Sequence, residues 1–382
     1  MSENKKITLI AGGDISLAKE NPETKFELVK PILDAADFRF GQLEEVLATD
    51  YCQQVFAYPR PRTAKPGDPE HAWVLGKKCA NFDVLSFASN HTLDWSENAM
   101  QQTIDVVKEQ GIQCIGAGWD IEDAVKPAIL EKDGVKIGIL AYCSVLPKGY
   151  AADKGKAGAN PLRVSTYYRQ FDWQPGTPPE IIDIPDPEDL AAMENQIREL
   201  KKQVDIVIVS IHWGVHFMSA FLAEYQFKIG HAAIDAGADV IFGHHAHLVK
   251  GIEIYNGKPI FYSLGNFSVA DVPLRVIAGD KQNGYFTFKP YRWKPDPEHP
   301  NYAFPYESRN AVLLKLEIGD KKIDRFSLLP VWMGGDNRPE PVKADDPRFE
   351  GIFNYIKYVC ENQWLETKFE QDGDEIVVLT EA

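Results

Sequence analysis

Residues 243–247 read Gly-His-His-Ala-His, directly after the apolar run Ala238-Asp239-Val240-Ile241-Phe242. Three of the chain's nine histidines thus fall within four positions at the end of an expected buried strand. Packing alone does not call for this, since every buried polar ring must find a partner or stay wet. Neutral imidazole is a common ligand for zinc and a good one for iron and nickel, so the cluster points to a metal.

Four other sites share this design, with polar side chains just after an apolar strand. Ile7–Ala11 runs into Gly12-Gly13-Asp14, and Phe38–Gln42 is followed by Glu44 and Glu45. Val84–Ala88 ends in Ser89-Asn90-His91 with Asp94 beyond, and Asp205–Ile211 ends in His212-Trp213-Gly214. Ligands of open α/β sheets bind at the carboxyl ends of strands, so five such ends could meet in one crevice. Each is weak evidence alone. Together, the mixed oxygen and nitrogen set suits a pair of divalent ions (Mn, Fe or Zn) better than a closed, Cys-rich structural zinc site.

The elements that would position these residues alternate in α/β fashion. The strands above are joined by one at Gln113–Gly116. Helices are expected at Phe26–Ala36, Pro69–Ala80, Glu97–Gln110, Pro187–Lys202 and Leu222–Ala236, with Gly111 and Gly237 as C-terminal caps. Asp133-Gly134, Asn256-Gly257 and Gly319-Asp320 mark three hairpins. The last of these joins Val312–Ile318 to Lys322–Leu328. Hairpins among βα units imply mixed sheets. Segments 146–187 and 271–310 have no clear period and carry Lys148, Arg163, Trp173, Arg275, Trp293 and Arg309, which suits pocket walls for an anionic or aromatic substrate.

At 382 residues the chain fits one large or two medium domains, with the 44% hydrophobic and 25% charged content of an ordinary globular protein. A net charge of −15 argues against nucleic acid as the main partner. The run Ile7–Ala11 is shorter than a signal-peptide core, and no stretch reaches the length of a membrane span. The five cysteines are scattered, odd in number and without a CxxC pair. A reduced, cytoplasmic setting is therefore expected. A homo-oligomer is compatible with all of this.

The stretches GGDISLA (12–18), QLEEVLA (42–48), FDVLSFASNHTLDWSENAM (82–100), SIHWGVHF (210–217) and GADVIFGHHAHLVKGIEIYNGKPIFYSLGNF (237–267) resemble the CapA family of bacterial poly-γ-glutamate capsule-synthesis proteins. That family is related to the calcineurin-like metallophosphoesterases. The resemblance spans roughly residues 7–267 plus the hairpin near 312–328. It implies a metallophosphatase-like four-layer αββα sandwich, with two mixed β-sheets and long inserted loops. The whole chain, 1–382, would then be one domain, with segments 146–187 and 271–310 facing the substrate.

Carried onto these positions, the resemblance makes Asp14 a ligand of one metal and Glu44 the carboxylate bridging two. Asn90 and His212 would bind the second ion. His245 and His247 reproduce the His-x-His spacing of the phosphoesterases, while His244 is a neighbour that could replace either. His91 would protonate the leaving group, oriented by Asp94. Arg62, in PRPRTAKPGDPE (59–70), His216 and Lys148 would contact substrate. The departures are specific. Ser16 stands where the phosphoesterases carry the histidine of Asp-x-His, Gln42 replaces an Asn, Ala246 a Pro and His216 a Glu. The expected activity is a metal-dependent hydrolase acting on a small anionic ester, amide or lactone. The alternative is a non-catalytic, metal-dependent polyanion-binding component of poly-γ-glutamate synthesis or export.

Overall fold

The computed structural model describes residues 6–17, 20–52, 65–173, 175–270, 298–299, 302 and 304–381. Arg62 lies outside them, as does most of the segment 271–310.

The first four strands are β1 (Ile7–Ile15), β2 (Phe38–Leu43), β3 (Val84–Ser86) and β4 (Gln113–Ile115). They pair in parallel in that order. After the short β5 (Ala117–Gly118) comes the hairpin β6 (Ala128–Lys132) and β7 (Val135–Cys143). Next are β8 (Gly158–Ala159), then β9 (Val164–Arg169) and β10 (Glu180–Pro185), which form a separate two-stranded ribbon. β11 (Ile206–His212) and β12 (Val240–His244) lead into the hairpin β13 (Ile252–Tyr255) and β14 (Lys258–Phe261). The chain continues through β15 (Asn266–Ser268), β16 (Asn310–Gly319), β17 (Lys322–Met333) and β18 (Pro339–Pro341) to the terminal hairpin β19 (Lys368–Asp372) and β20 (Glu375–Leu379).

These strands make two main mixed sheets. One runs β19-β20-β17-β16-β1-β2-β3-β4, with β15 joined to β1 and β18 to β17; the other runs β13-β14-β12-β11-β7-β6. Side-chain alternation along each strand sorts the core into three layers. Leu9, Ala11 and Phe40 of the first sheet meet Ile139, Ile208 and Phe242 of the second in the layer between them. Ile10, Leu43 and Leu85 face outward onto helix Glu97–Glu109, and Val207, Val209 and Ile241 face outward onto helices Pro187–Lys201 and Glu224–Ala236. The result is the four-layer αββα sandwich. Because the central strands are buried on both faces, they read in sequence as near-continuous apolar runs.

Several boundaries differ from expectation for identifiable reasons. The helix expected over Phe26–Ala36 is two short pieces, Thr24–Glu27 and Lys30–Ala35, because Pro31 starts a helix but cannot sit in the middle of one. The stretch Pro69–Ala80 forms a 3-10 helix only over Pro69–Val74. The helix expected from Leu222 begins at Glu224. The third hairpin turns at Asp320-Lys321, both left-handed at φ 47° and 65°, because a register shift at Glu317/Ile318 moves the turn by one residue.

Segment 146–187, expected to be irregular, contains the β9–β10 ribbon. That ribbon packs on helix Glu224–Ala236 and exposes Tyr168 and Trp173. Helix Arg348–Glu361, which falls in a stretch with no assigned element above, buries Phe349, Ile352, Ile356 and Val359 in the inter-sheet layer. Among the described residues, no helix is long and apolar enough to cross a membrane, and the cysteines are all free thiols.

Candidate metal centre

Asp14 reaches the inter-sheet layer through a bulge. Ile7, Leu9 and Ala11 face that layer, so a regular strand would turn Asp14 the other way. A register shift between Ala11 and Asp14 reverses the alternation, and Ile15 then faces the outer helices instead. Gly12 and Gly13 permit the bulge, because a Cβ on Gly13 would lie 1.9 Å from Gly265 O and one on Gly12 would enter the Phe267 ring. Glu44 follows β2, its backbone N–H held by Ile15 O at 2.9 Å.

Across the layer, His212 ends β11 on the same face as Ile206 and Ile208. The turn after β12 puts His245 at φ 87° and His247 at φ 54°. That left-handed backbone is costly for side chains other than glycine, and it swings these two rings out of line with His244.

Two metal-sized clusters result: Asp14, Glu44 and His247 form one, and Glu44, His212 and His245 form the other. They share Glu44. His247 Nδ1 lies 3.5 Å from Asp14 Oδ2 and 3.6 Å from Glu44 Oε2. His212 Nε2 lies 3.4 Å from Glu44 Oε1, 2.7 Å from Asn90 Oδ1 and 3.1 Å from His245 Nδ1. Each carboxylate oxygen of Glu44 therefore faces a different cluster. The His245 backbone N–H donates to Asp14 Oδ2 at 3.1 Å, which ties the two sheets together at this point.

The electrostatics are those of a site short of positive charge. Burial, and then the neighbouring Glu44, pushes the Asp14 carboxyl well above the usual carboxylate range. Burial would raise Glu44 too, but the His247, His212 and His91 rings outweigh it and hold Glu44 low. Burial lowers His212, and lowers His245 and His216 strongly, favouring neutral rings that can ligate. Glu44 Oε1, His212 Nδ1, both ring nitrogens of His244 and Asn266 Nδ2 are buried without a hydrogen bond. A core rarely tolerates so many orphans. Of these atoms Glu44 Oε1 faces a cluster, and a divalent cation there would satisfy it and offset the Asp14–Glu44 repulsion, so the residues fit such an ion.

Of the three histidines the sequence left open, His245 and His247 each enter a cluster. His244 is fully buried, its Nδ1 3.8 Å from Asp14 Oδ1 and its ring against Phe40, and burial lowers it to about 3. It joins neither cluster.

His91 stands at the rim. Its Nδ1 pairs with Asp94 Oδ2 at 2.8 Å, and its Nε2 faces Glu44 Oε1 at 3.8 Å and the Asn90 amide at 3.1 Å. The Tyr150 hydroxyl donates to Asp94 Oδ1 at 2.9 Å. The His216 ring centre is 3.7 Å from that of His245 and 5.4 Å from that of His247, so His216 covers the cluster. Phe304 packs on His247 at 4.5 Å.

Lys148 lines a cavity that includes no member of either cluster. It is exposed on this cavity of about 690 Å³, lined also by Lys156, Arg163 and Asp189, where Arg163 is already paired to Asp189. In segment 146–187 it is Tyr150 that reaches the cluster, through Asp94. Sequence reasoning missed Tyr150, which sits in an aperiodic stretch, and Asn266. Asn266 did carry a signal: like the other five, it follows an apolar strand.

The chain is 33% identical over 250 residues to the PGA biosynthesis protein CapA of Bacillus subtilis (strain 168), covering 65% of this chain and 57% of that protein. It is 27% identical over 273 residues to the capsule biosynthesis protein CapA of Bacillus anthracis, covering 69% and 60%. The match thus spans about three-fifths of the length of these relatives. Among solved structures it is similar to the calcineurin-like phosphoesterase YfkN from Bacillus subtilis, with TM-score 0.40 and 12% identity over 94% of this chain and 98% of that one. Residues 8–271, which include every member of both clusters, match the bacterial capsule synthesis protein family PGA_cap, and the chain belongs to that family.

Proposed function

We propose that the protein is a metal-dependent hydrolase with a binuclear centre, and that its substrate is a small anionic amide, ester or lactone. The observation that carries this reading is the sharing of Glu44 by two buried clusters, with His91 held beside the same carboxylate. Asp14, Glu44 and His247 would hold one ion; Glu44, Asn90, His212 and His245 would hold the other. Bound divalent ions supply positive charge that polarises a scissile group and makes water more acidic.

The chain's own residues do the rest. Asp94, fixed by Tyr150, accepts the Nδ1 proton of His91 and so directs Nε2 toward the Glu44 edge; when the ring carries a second proton on Nε2, Asp94 balances its charge and that proton can pass to a leaving group. Neutral His216 and Phe304 close the far side and limit water. The ions' charge would attract an anion despite the net charge of −15. Manganese, iron and zinc all suit the mixed donor set. The names of the relatives point to poly-γ-glutamate, whose linkages are amides flanked by carboxylates, so γ-glutamyl amides head the substrate list.

A second reading, a non-catalytic polyanion-binding component of capsule synthesis, draws on those same names. The Tyr150–Asp94–His91 chain favours the enzyme, because a binding site has no use for an oriented proton donor. The test is metal content together with hydrolysis of γ-glutamyl amides, phosphoesters and lactones, for the wild type and His91→Ala. The enzyme reading expects the variant to keep its metal and lose turnover. Metal-loaded wild-type protein inert on all three classes would favour the binding component.

A further inference from the structure

We propose that Asn266 is a metal ligand, its side-chain oxygen completing a four-donor set with Asp14, Glu44 and His247; this rests on the metal-centre reading above.

Asn266 opens β15, which pairs in parallel with the end of β1 in the register Asp14↔Asn266 and Ile15↔Ser268. The close approach depends on two glycines. Gly13 has no Cβ to meet Gly265 O, and Gly265 takes φ 71° so that its carbonyl can accept the Asp14 N–H at 2.9 Å. The same contact uses up the residue two beyond Asp14. The Ser16 hydroxyl accepts the Ala270 N–H at 2.8 Å, and its backbone N–H donates to Ser268 O. Ser16 is thus tied to the end of β15 and to the residue two beyond it, and the donor entering the site on this side is Asn266.

The geometry around His247 Nδ1 is what identifies a ligand. Three oxygens surround that one nitrogen: Asn266 Oδ1 at 2.9 Å, Asp14 Oδ2 at 3.5 Å and Glu44 Oε2 at 3.6 Å. A ring N–H can satisfy one of them, and Asp14 Oδ2 has the His245 N–H besides, in a site where Asn266 is 1% exposed and Asp14 2%. Ligands bound at about 2.0–2.2 Å to one ion lie roughly 3.0–3.5 Å apart, close to the spacings seen here. Asn266 Nδ2 faces the Tyr302 hydroxyl, which leaves Oδ1 turned toward His247.

The second cluster is built alike. Asn90 Oδ1 stands 2.7 Å from His212 Nε2, with Glu44 Oε1 and His245 completing four donors. Each ion would then be held by one asparagine, histidine nitrogen and one oxygen of Glu44. Asp14 contributes on the first side and a second histidine on the other.

The test is Mn²⁺ binding to the full chain, read by elemental analysis and isothermal titration, with electron paramagnetic resonance to separate coupled from isolated ions. The proposal expects two ions in the wild type. In Asn266→Ala it expects one ion retained and the other weakened by more than the roughly 10- to 100-fold that losing a hydrogen bond to a ligand costs, with the coupled signal replaced by that of an isolated ion. Asn266→Asp keeps an oxygen in place and should hold both ions. Two ions bound by Asn266→Ala, with affinity lowered by no more than about 100-fold, would make Asn266 a hydrogen-bond partner of His247 and overturn the proposal. If the alanine variant fails to fold, Asn266→Asp decides alone, and weaker binding there overturns it. Fewer than two ions in the wild type would instead remove the metal-centre reading itself.

Discussion

Replacing Asp94 by Asn separates proton donation from metal binding. Asp94 is 4% exposed and touches two partners, the Tyr150 hydroxyl at 2.9 Å and His91 Nδ1 at 2.8 Å. In the variant, Tyr150 still donates to the side-chain oxygen, which turns the new amide N–H toward His91 Nδ1. An N–H there can only meet an unprotonated Nδ1, so the doubly protonated ring that gives up the Nε2 proton loses both its Nδ1 acceptor and its counter-charge. A hydrogen bond to a charged group contributes about 1.5–3 kcal/mol, which corresponds to about a 10- to 150-fold fall in turnover. His91→Ala removes the acid outright and should cost about 10²- to 10⁴-fold. The assay is steady-state hydrolysis of a series with leaving groups of graded basicity, such as γ-glutamyl anilides against γ-glutamyl alkylamides. Both variants should lose most on the poor leaving groups and least on the good ones, with metal content unchanged. An equal loss across the series, or a loss that tracks metal content, would refute the role of His91 as proton donor.

His244→Ala should retain both ions, whereas His245→Ala and His247→Ala should each lose one by elemental analysis; loss of an ion in His244→Ala would place His244 in the ligand set. Gly243→Ala would put a Cβ 2.1 Å from Tyr262 O, a backbone atom that cannot swing aside, so a loss of about 1–3 kcal/mol in chemical denaturation is expected. Lys250 is 2% exposed, donates to Met218 O and Phe221 O, and is lowered by burial to about 7. Between that value and the ordinary lysine value the unfolded chain holds a proton that the native one lacks. The burial penalty is therefore complete below pH 7 and shrinks as pH rises from about 7 toward 10. Relative to Lys250→Met, the wild type should gain stability over that range at up to about 1.4 kcal/mol per pH unit. A flat difference would mean that Lys250 stays charged on its two carbonyls.

The carboxyl-end residues of β1, β2, β3, β11 and β12 were legible because strands buried on both faces read as apolar runs, and a polar residue at the end of such a run stands out. Local breaks were legible in principle: Pro31 splits a helix as proline must, and Phe349, Ile352, Ile356 and Val359 keep the helical period of a segment the sequence reading left unassigned. Other features depend on contacts that sequence does not encode locally. The choice among His244, His245 and His247 turns on left-handed backbone at two of them. Asn266 meets Asp14 only through the pairing of β15 with β1, across 252 residues. Tyr150 reaches Asp94 from a stretch with no period. Lys148 shows the converse: a basic residue in a plausible loop that the fold directs to another cavity.

Glu44 is the residue that belongs to both clusters, so its sharing by two ions is measured by the metal content of wild type and Glu44→Ala after Mn²⁺ or Zn²⁺ loading and desalting. The shared carboxylate predicts two ions per wild-type chain and less than one in the variant, with the circular dichroism spectrum unchanged. Wild-type protein without bound metal, or a Glu44→Ala variant that keeps two ions, would contradict it.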